Sequence, residues 1–220
     1  NPAVVFFAIM NASIIIPTLN RCISLRHTLK SLAQMHASPD EFEVLVVDNG
    51  SVDKTRTVFD SIQSSSPILQ WRYFHEPMPG LLSGRHRGAL EAKGDICVFL
   101  DDDVRVSRGW LRALEDAFRN PHAALVGGPS IPIFQFAPPD WLQNFYTEGQ
   151  YGRYCGWLSL IDAGNRVKEI DPCYVWGLNF AIRKNVLLDF GGFHPDCLPK
   201  SLQRFQGDGE TGLSMKIRRA

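Results

Sequence analysis

The run Ile96-Cys97-Val98-Phe99-Leu100 breaks directly into three carboxylates, Asp101-Asp102-Asp103. Five apolar residues without polar alternation suit a strand buried on both faces, as in a parallel sheet covered by helices on each side. The acids must then lie where the strand leaves the core. Like charges gathered there raise one another's energy unless a cation offsets them. Magnesium and manganese are hard ions that prefer oxygen, and magnesium is often held by one or two carboxylates together with substrate phosphates. Asp101 and Asp103 are therefore candidate ligands for Mg2+ or Mn2+, at the carboxyl edge where open α/β sheets bind their ligands. A solvated acidic turn is the ordinary alternative for the same triplet.

Strand and helix signals alternate along the chain before and after this point. Ser13-Ile14-Ile15-Ile16 before Pro17 predicts a first central strand, and Asn20 is placed to cap a helix carrying Ile23, Leu25, Leu29, Leu32, Ala33 and His36. Phe42 to Val47 predicts a second strand, closed by Asp48-Asn49-Gly50-Ser51 and followed by a helix with Val58, Phe59 and Ile62. Ile68 to Phe74 predicts a third strand, and Gly84 to Lys93 a helix stopped by Gly94. Beyond the acids, Ser107 can cap a helix whose face is Trp110, Leu111, Leu114 and Phe118, and Ala123 to Val126 is a further strand. Alternation with short connections defines the class: α/β, with a mostly parallel central sheet flanked by helices.

After Gly127-Gly128-Pro129 the composition shifts to prolines at 129, 132, 138 and 139 and aromatics at 134, 136, 141, 145, 146, 151, 154 and 157. This stretch is expected to be a loop-rich elaboration, its aromatics mostly packing, and not a second autonomous domain. The chain thus divides into a regular half, 12–128, and an irregular half, 129–220, of one domain spanning 1–220. Regularity returns at Gly177 to Ile182 and in a short helix ending at Gly191-Gly192.

Twenty-three basic and twenty-three acidic residues cancel, so no global field draws the chain to nucleic acid. Its five cysteines, at 22, 97, 155, 173 and 197, form no C-x-x-C pair, which predicts reduced thiols and a cytoplasmic setting. No apolar run approaches the twenty or so residues needed to cross a bilayer. The chain opens on Asn1 rather than Met, and Leu213 to Ala220 reads as a helix without a stop signal. A fragment is expected, with membrane association possible through segments outside it. Asn11-Ala12-Ser13 and Asn49-Gly50-Ser51 match the N-glycosylation pattern, but one falls at the first strand and the other in the second strand's turn, so both are discounted.

Six motifs now stand in order: Ile15 to Arg21, Val47 to Asp53, Phe99 to Asp103, Gly177 to Arg183, Phe190 to Phe193, and Gly207 to Thr211. Each is weak by itself; together, over nearly the whole chain, they closely resemble the family 2 glycosyltransferases. The resemblance implies the GT-A fold and an inverting transfer from a nucleotide-diphospho sugar, a UDP-, GDP- or dTDP-sugar, to a hydroxyl of a glycan, lipid-linked or other acceptor. Such enzymes serve polysaccharide and cell-envelope synthesis, here expected in the cytoplasm or at the cytoplasmic membrane face.

Carried over residue by residue, the resemblance places Thr18 and Asp48 in the nucleotide pocket, where a carboxylate accepts from base or ribose. It gives Arg85 a role toward the donor's base or diphosphate, and makes Asp101-Asp102-Asp103 the D-x-D signature. Asp103, with Asp101, then serves the divalent cation, and Asp101 and Asp102 face the donor. Glu210 is implied as general base, with Asp208 as an accompanying acid; helix capping and dipole roles are open to both. Asn179, Arg183, Trp176 and Trp141 fall on the acceptor side. The half 12–128 would bind the nucleotide sugar, and 129–220 would supply the acceptor side and the base.

Two related enzymes fit less well. A haloacid-dehalogenase-like phosphatase needs Thr or Val where Arg105 stands, and a sugar-phosphate nucleotidyltransferase needs a glycine-rich opening loop where Pro17-Thr18-Leu19-Asn20 stands. A non-catalytic nucleotide- or carbohydrate-binding domain on the same scaffold is the alternative function.

Overall fold

The computed structural model describes residues 11–193 and 209–219. The regular half runs β1 (Ala12–Thr18), α1 (Cys22–Ala33), β2 (Phe42–Asp48), α2 (Thr55–Ser65), β3 (Gln70–His75), α3 (Leu81–Glu91), β4 (Ile96–Leu100), α4 (Trp110–Phe118) and β5 (Leu125–Gly127). Three short strands follow, β6 (Thr147–Gly149), β7 (Gly152–Cys155) and β8 (Leu160–Asp162), then β9 (Asn179–Arg183), α5 (Lys184–Asp189) and α6 (Glu210–Arg219).

The main sheet has the order β3-β2-β1-β4-β9-β5. β1 pairs in parallel with β2 and β4, and β2 with β3, while β9 runs antiparallel to both β4 and β5. The order reverses at β1: β2 and β3 build outward on one side, and the chain then crosses back to lay β4 on the other. Such a switch point is where open α/β sheets bind ligands, here outside the carboxyl ends of β1 and β4.

Alternate strand residues divide between two cores, as a period of two requires. Ile14, Ile16, Val44, Val46, Val98 and Leu100 pack with Leu25, Leu29 and Leu32 of α1, Phe59 and Ile62 of α2, and Leu111, Leu114 and Phe118 of α4. Ile15, Leu45, Val47, Cys97 and Phe99 pack on the opposite face with Leu82 and Ala89 of α3, Leu187 of α5 and Leu213 of α6. Helix α3 approaches β1 closely because Gly84 and Gly88 face it; a Cβ at 88 would collide with the Ile15 side chain, and one at 84 would lie 3.0 Å from Pro17 Cβ.

Several local expectations are corrected. Asn20 does not cap α1; it is left-handed, φ 55°, and its side chain accepts from Val52 N at 2.8 Å. Asp53 serves instead, accepting from Cys22 N at 3.0 Å and Thr55 N at 2.9 Å, so one carboxylate closes the starts of α1 and α2. Ile23 points to solvent, β3 starts at Gln70 and not Ile68, and α3 starts at Leu81 rather than Gly84. Helix α4 begins at Trp110 without a side-chain cap from Ser107. The irregular half is more ordered than expected: β6, β7 and β8 form an antiparallel sheet, joined to residue 130 through Ser130 N and Ile161 O at 2.8 Å. Among the described residues no helix is long and apolar enough to cross a membrane.

Candidate active site

Register explains which residues meet at the switch point. Thr18 is the partner of Asp48 across β1 and β2, and β4 runs parallel beside β1, so Thr18, Asp48 and the acid triplet all emerge at one edge. Thr18 Oγ1 donates to Asp102 Oδ2 at 2.6 Å, and Thr28 Oγ1 from α1 donates to the Asp102 carbonyl at 2.8 Å. Arg21 Nε lies 3.1 Å from Asp102 Oδ1, and its Nη2 pairs with Asp103.

The three acids are thereby given different environments. Asp102 is buried; burial pushes its carboxyl up to about 6, against the pull of Thr18 and Arg21 and with the help of Asp103 and Asp101. Asp101 and Asp103 are partly open, their side chains 35% and 49% exposed. Asp101 and Asp103 thus flank the buried acid with part of each carboxylate facing solvent.

Asp48 is buried and bound on both oxygens, accepting from Ser51 N at 2.8 Å and from Tyr73 OH at 2.5 Å. Burial and then the Asp48 carboxylate raise the Tyr73 phenol well above its ordinary value, so it is a fixed donor at neutral pH. Beside it Asn49 staples the loop before α3, donating to the carbonyls of Glu76 at 2.9 Å and Met78 at 2.7 Å and accepting from Gly80 N at 2.7 Å.

Glu210 reaches the same site from the far end of the sequence. It opens α6, which is seated by buried Leu213 and by Arg218 Nη1 on Asp171 Oδ2 at 2.9 Å. Its carboxylate pairs with Arg85 of α3, whose other nitrogen lies 3.0 Å from Asp101 Oδ1. Four carboxylates against two guanidiniums leave this cluster two negative charges when all are ionised. Excess negative charge on oxygen donors is the chemistry a divalent Mg2+ or Mn2+ fits. Among the described residues no three such side chains converge as a metal cage.

The remaining expected residues divide. Asn179 lies at the same carboxyl edge: it pairs with Leu100, the residue before Asp101, and its Oδ1 accepts from Trp110 Nε1 at 3.1 Å. Trp176 packs against Tyr154 and Tyr174, next to the loop that touches Glu210. Trp141 is exposed and meets Phe145 edge to face. Arg183 lies away from the acids. It pairs with Ile96 at the opposite end of β4, and its guanidinium donates to the carbonyls of Phe118, the last residue of α4, and of Asn120 and Ala123 beyond it. Asp208 lies outside the described residues. Arg21, Tyr73 and Gly177 had no assigned role in the sequence, although Arg21 stands directly after the strand-end Asn20.

Acids from two strand ends, β2 and β4, and one from a distant helix meet at the switch point of an α/β sheet, the place where such sheets bind ligands, and comparison with known proteins narrows the class. The chain belongs to glycosyl transferase family 2, whose model matches residues 13–191. It is 27% identical over 190 residues to a glucosyl-dolichyl phosphate glucuronosyltransferase of Haloferax volcanii, covering 84% of this chain and 56% of that protein. It is 34% identical over 119 residues to the uncharacterized glycosyltransferase YfnE of Bacillus subtilis, covering 54% of this chain and 30% of the relative. The fold is GT-A: the mannosyltransferase PcManGT from Pyrobaculum calidifontis, solved with GDP-Man and Mn2+, superposes with a TM-score of 0.65 at 20% identity, covering 94% of this chain and 51% of that one. S. aureus TarS 1-349 in complex with UDP-GlcNAc gives 0.65 at 18% identity, covering 94% and 53%. The chain spans about half or less of the length of these relatives.

Proposed function

We propose that this chain carries the donor-binding and catalytic core of an inverting glycosyltransferase that moves a sugar from a nucleoside diphosphate to an acceptor hydroxyl with help from a divalent cation. The observation that carries the reading is the meeting of Glu210 with the Asp101–Asp103 triplet, joined through Arg85, at the switch point of the sheet. Family membership supports it, as do the relatives named for nucleotide-sugar complexes and sugar transfer.

Thr18 and Asp48 line the nucleotide side, the Asp48 carboxylate fixed in orientation by Ser51 and Tyr73 while its remaining lone pairs accept from base or ribose. Asp103 and Asp101 would hold Mg2+ or Mn2+, which when bound draws charge off the departing diphosphate. Arg21 is half exposed, so it can leave Asp103 for the diphosphate when the cation arrives. Glu210 takes the acceptor hydroxyl's proton as its oxygen attacks the anomeric carbon. The bond from that carbon to the diphosphate oxygen breaks in the same in-line step, and its electron pair leaves with the nucleotide. One displacement inverts the centre and forms no covalent sugar intermediate. The acceptor is a glycan or lipid-linked hydroxyl, a class to which the Haloferax relative's name also belongs.

Calorimetric titration with UDP, GDP and dTDP, each with Mn2+ and with chelator, tests the donor site. One nucleotide should bind in a Mn2+-dependent way and lose that dependence in Asp103→Ala. A folded protein that binds none of the three overturns the reading.

A further inference from the structure

Arg85 is 1% exposed, the most deeply enclosed charge in the site. Its Nη2 lies 3.0 Å from Asp101 Oδ1 and its Nη1 bonds Glu210 Oε1, while the Phe193 ring covers it with its centroid 5.6 Å from Cζ. A charge this deep persists only when paired. Burial lowers the guanidinium's proton affinity, but Glu210 and Asp101 more than restore it. Two of its nitrogens face these acids, and at 1% exposure little of the guanidinium is open to a donor's base or diphosphate.

The surroundings are shaped to this bridge. The glycine face of α3 lets Arg85 sit close behind β1. Opposite, Gly177 just before β9 provides the remaining space: a Cβ there would collide with Glu210 Oε1 and lie 2.5 and 2.6 Å from Arg85 Nη2 and Nη1. Gly177 is outside the left-handed region, so its missing side chain serves room and not backbone conformation. Two nitrogens of one planar fork can face two carboxylates at fixed separation, which the single ammonium of lysine cannot do.

We infer that Arg85 is a positioning residue that ties the Glu210 carboxylate to the donor-side Asp101, and that Gly177 is the gap that lets this tie form. The inference rests on Glu210 being the base. The helix that carries Glu210 is anchored to the second core and to Asp171, and Arg85 links Glu210 to Asp101, the first acid after β4. Misplacing a reacting group by about 1 Å costs on the order of 100-fold in rate.

The test compares Gly177→Ala, Arg85→Lys and Glu210→Gln by donor hydrolysis, in which water replaces the acceptor and release of nucleoside diphosphate is followed. The donor is that of the nucleotide identified by calorimetry, and its Mn2+-dependent Kd is measured on the same preparations. Gly177→Ala and Arg85→Lys should each lower kcat by about 100-fold. In Gly177→Ala the nucleotide Kd should stay within about 3-fold, and adding it to Glu210→Gln should lower kcat by less than about 3-fold further, since both act through one carboxylate. Arg85→Lys risks misfolding, but Gly177→Ala adds only a methyl group and decides alone. Near-parental kcat in Gly177→Ala, a Kd that worsens as steeply as kcat falls, or a full multiplicative loss in the double variant each overturns the positioning role while the base stands. Parental kcat in Glu210→Gln removes the base, and the inference with it.

Discussion

The two ends of the central sheet handle buried carboxylates in opposite ways. At the amino edge, Glu43 of β2 is 2% exposed and accepts from Ser13 Oγ at 2.7 Å, Lys93 N at 2.6 Å and Arg72 Nη1 at 2.9 Å. Burial alone would raise its carboxyl; the hydrogen bonds from Lys93, Ser13 and Arg72 outweigh that and leave it below the ordinary value. At the carboxyl edge, Asp102 is almost as buried, yet burial prevails and its carboxyl rises to about 6. One acid is satisfied by the chain itself; the other stands among acids whose excess negative charge a divalent cation would offset. Perturbed acids of the second kind mark sites, and the first kind marks framework.

Substitution should separate these roles, most strongly at the carboxyl edge. Glu210→Gln keeps a neutral acceptor for Arg85 but cannot take a proton. Turnover should fall by about 1,000-fold with donor Kd nearly unchanged, read by nucleotide release and calorimetry. Retained turnover would place the base elsewhere. At the amino edge Glu43→Ala removes the acceptor of Ser13 Oγ and the Lys93 N–H and one of the two carboxylates on Arg72, which keeps Glu91; unfolding free energy should drop by about 3 kcal/mol in urea melts, with Mn2+-dependent nucleotide binding intact. If nucleotide binding fell instead, the two ends would not be independent.

This asymmetry also governs what the sequence could reveal. Strands β1, β2 and β4 are buried on both faces, so their apolar runs announce them, and strand ends carrying Thr18, Asp48 and Asp101 follow directly. Strand direction carries no such signal. Because β9 is antiparallel, its first residue, Asn179, reaches the carboxyl edge, and Arg183 at its end is carried to the amino edge. Strands β6 to β8 have three or four residues each, too few for alternation to rise above the surrounding aromatics. Asn20 and Asp53 illustrate capping decided in space: both types suit a helix start, and only the fold brings Asp53 to α1. The pairing of Arg85 with Glu210 spans 125 residues, beyond any local pattern.

Acid should act oppositely on the two edges. Glu43, depressed when folded, contributes stability that is present above its ordinary carboxylate pKa and lost as pH falls through the folded value. Asp102 is raised from 3.8 to about 6, so the folded state holds the proton more tightly. Its ionisation therefore costs stability as pH climbs from 4 to 6, and the cost persists above. In chelator at pH 7, Asp102→Asn should raise unfolding free energy by about 2 kcal/mol, and the gain should vanish below pH 4. A pH-independent gain would mean that packing, not charge, is being relieved.

The smallest expected effect sharpens where the open region ends. Asp53 is exposed and lies at the carboxyl edge, but its oxygens are already used by Cys22 N, Thr55 N and Thr55 Oγ1 at 2.5 Å. The Thr55 hydroxyl first, and then the Cys22 and Thr55 backbone, hold its carboxyl down at about 2 against slight burial. It resembles Glu43 in being complete, despite its position. Asp53→Ala should cost about 1 kcal/mol of stability through two lost helix starts, measured by urea unfolding. Nucleotide Kd with Mn2+ should stay within about 2-fold, because a carboxylate already filled by N–H and O–H donors has nothing to offer a cation. A large loss of binding would move the boundary of the site outward to the starts of α1 and α2.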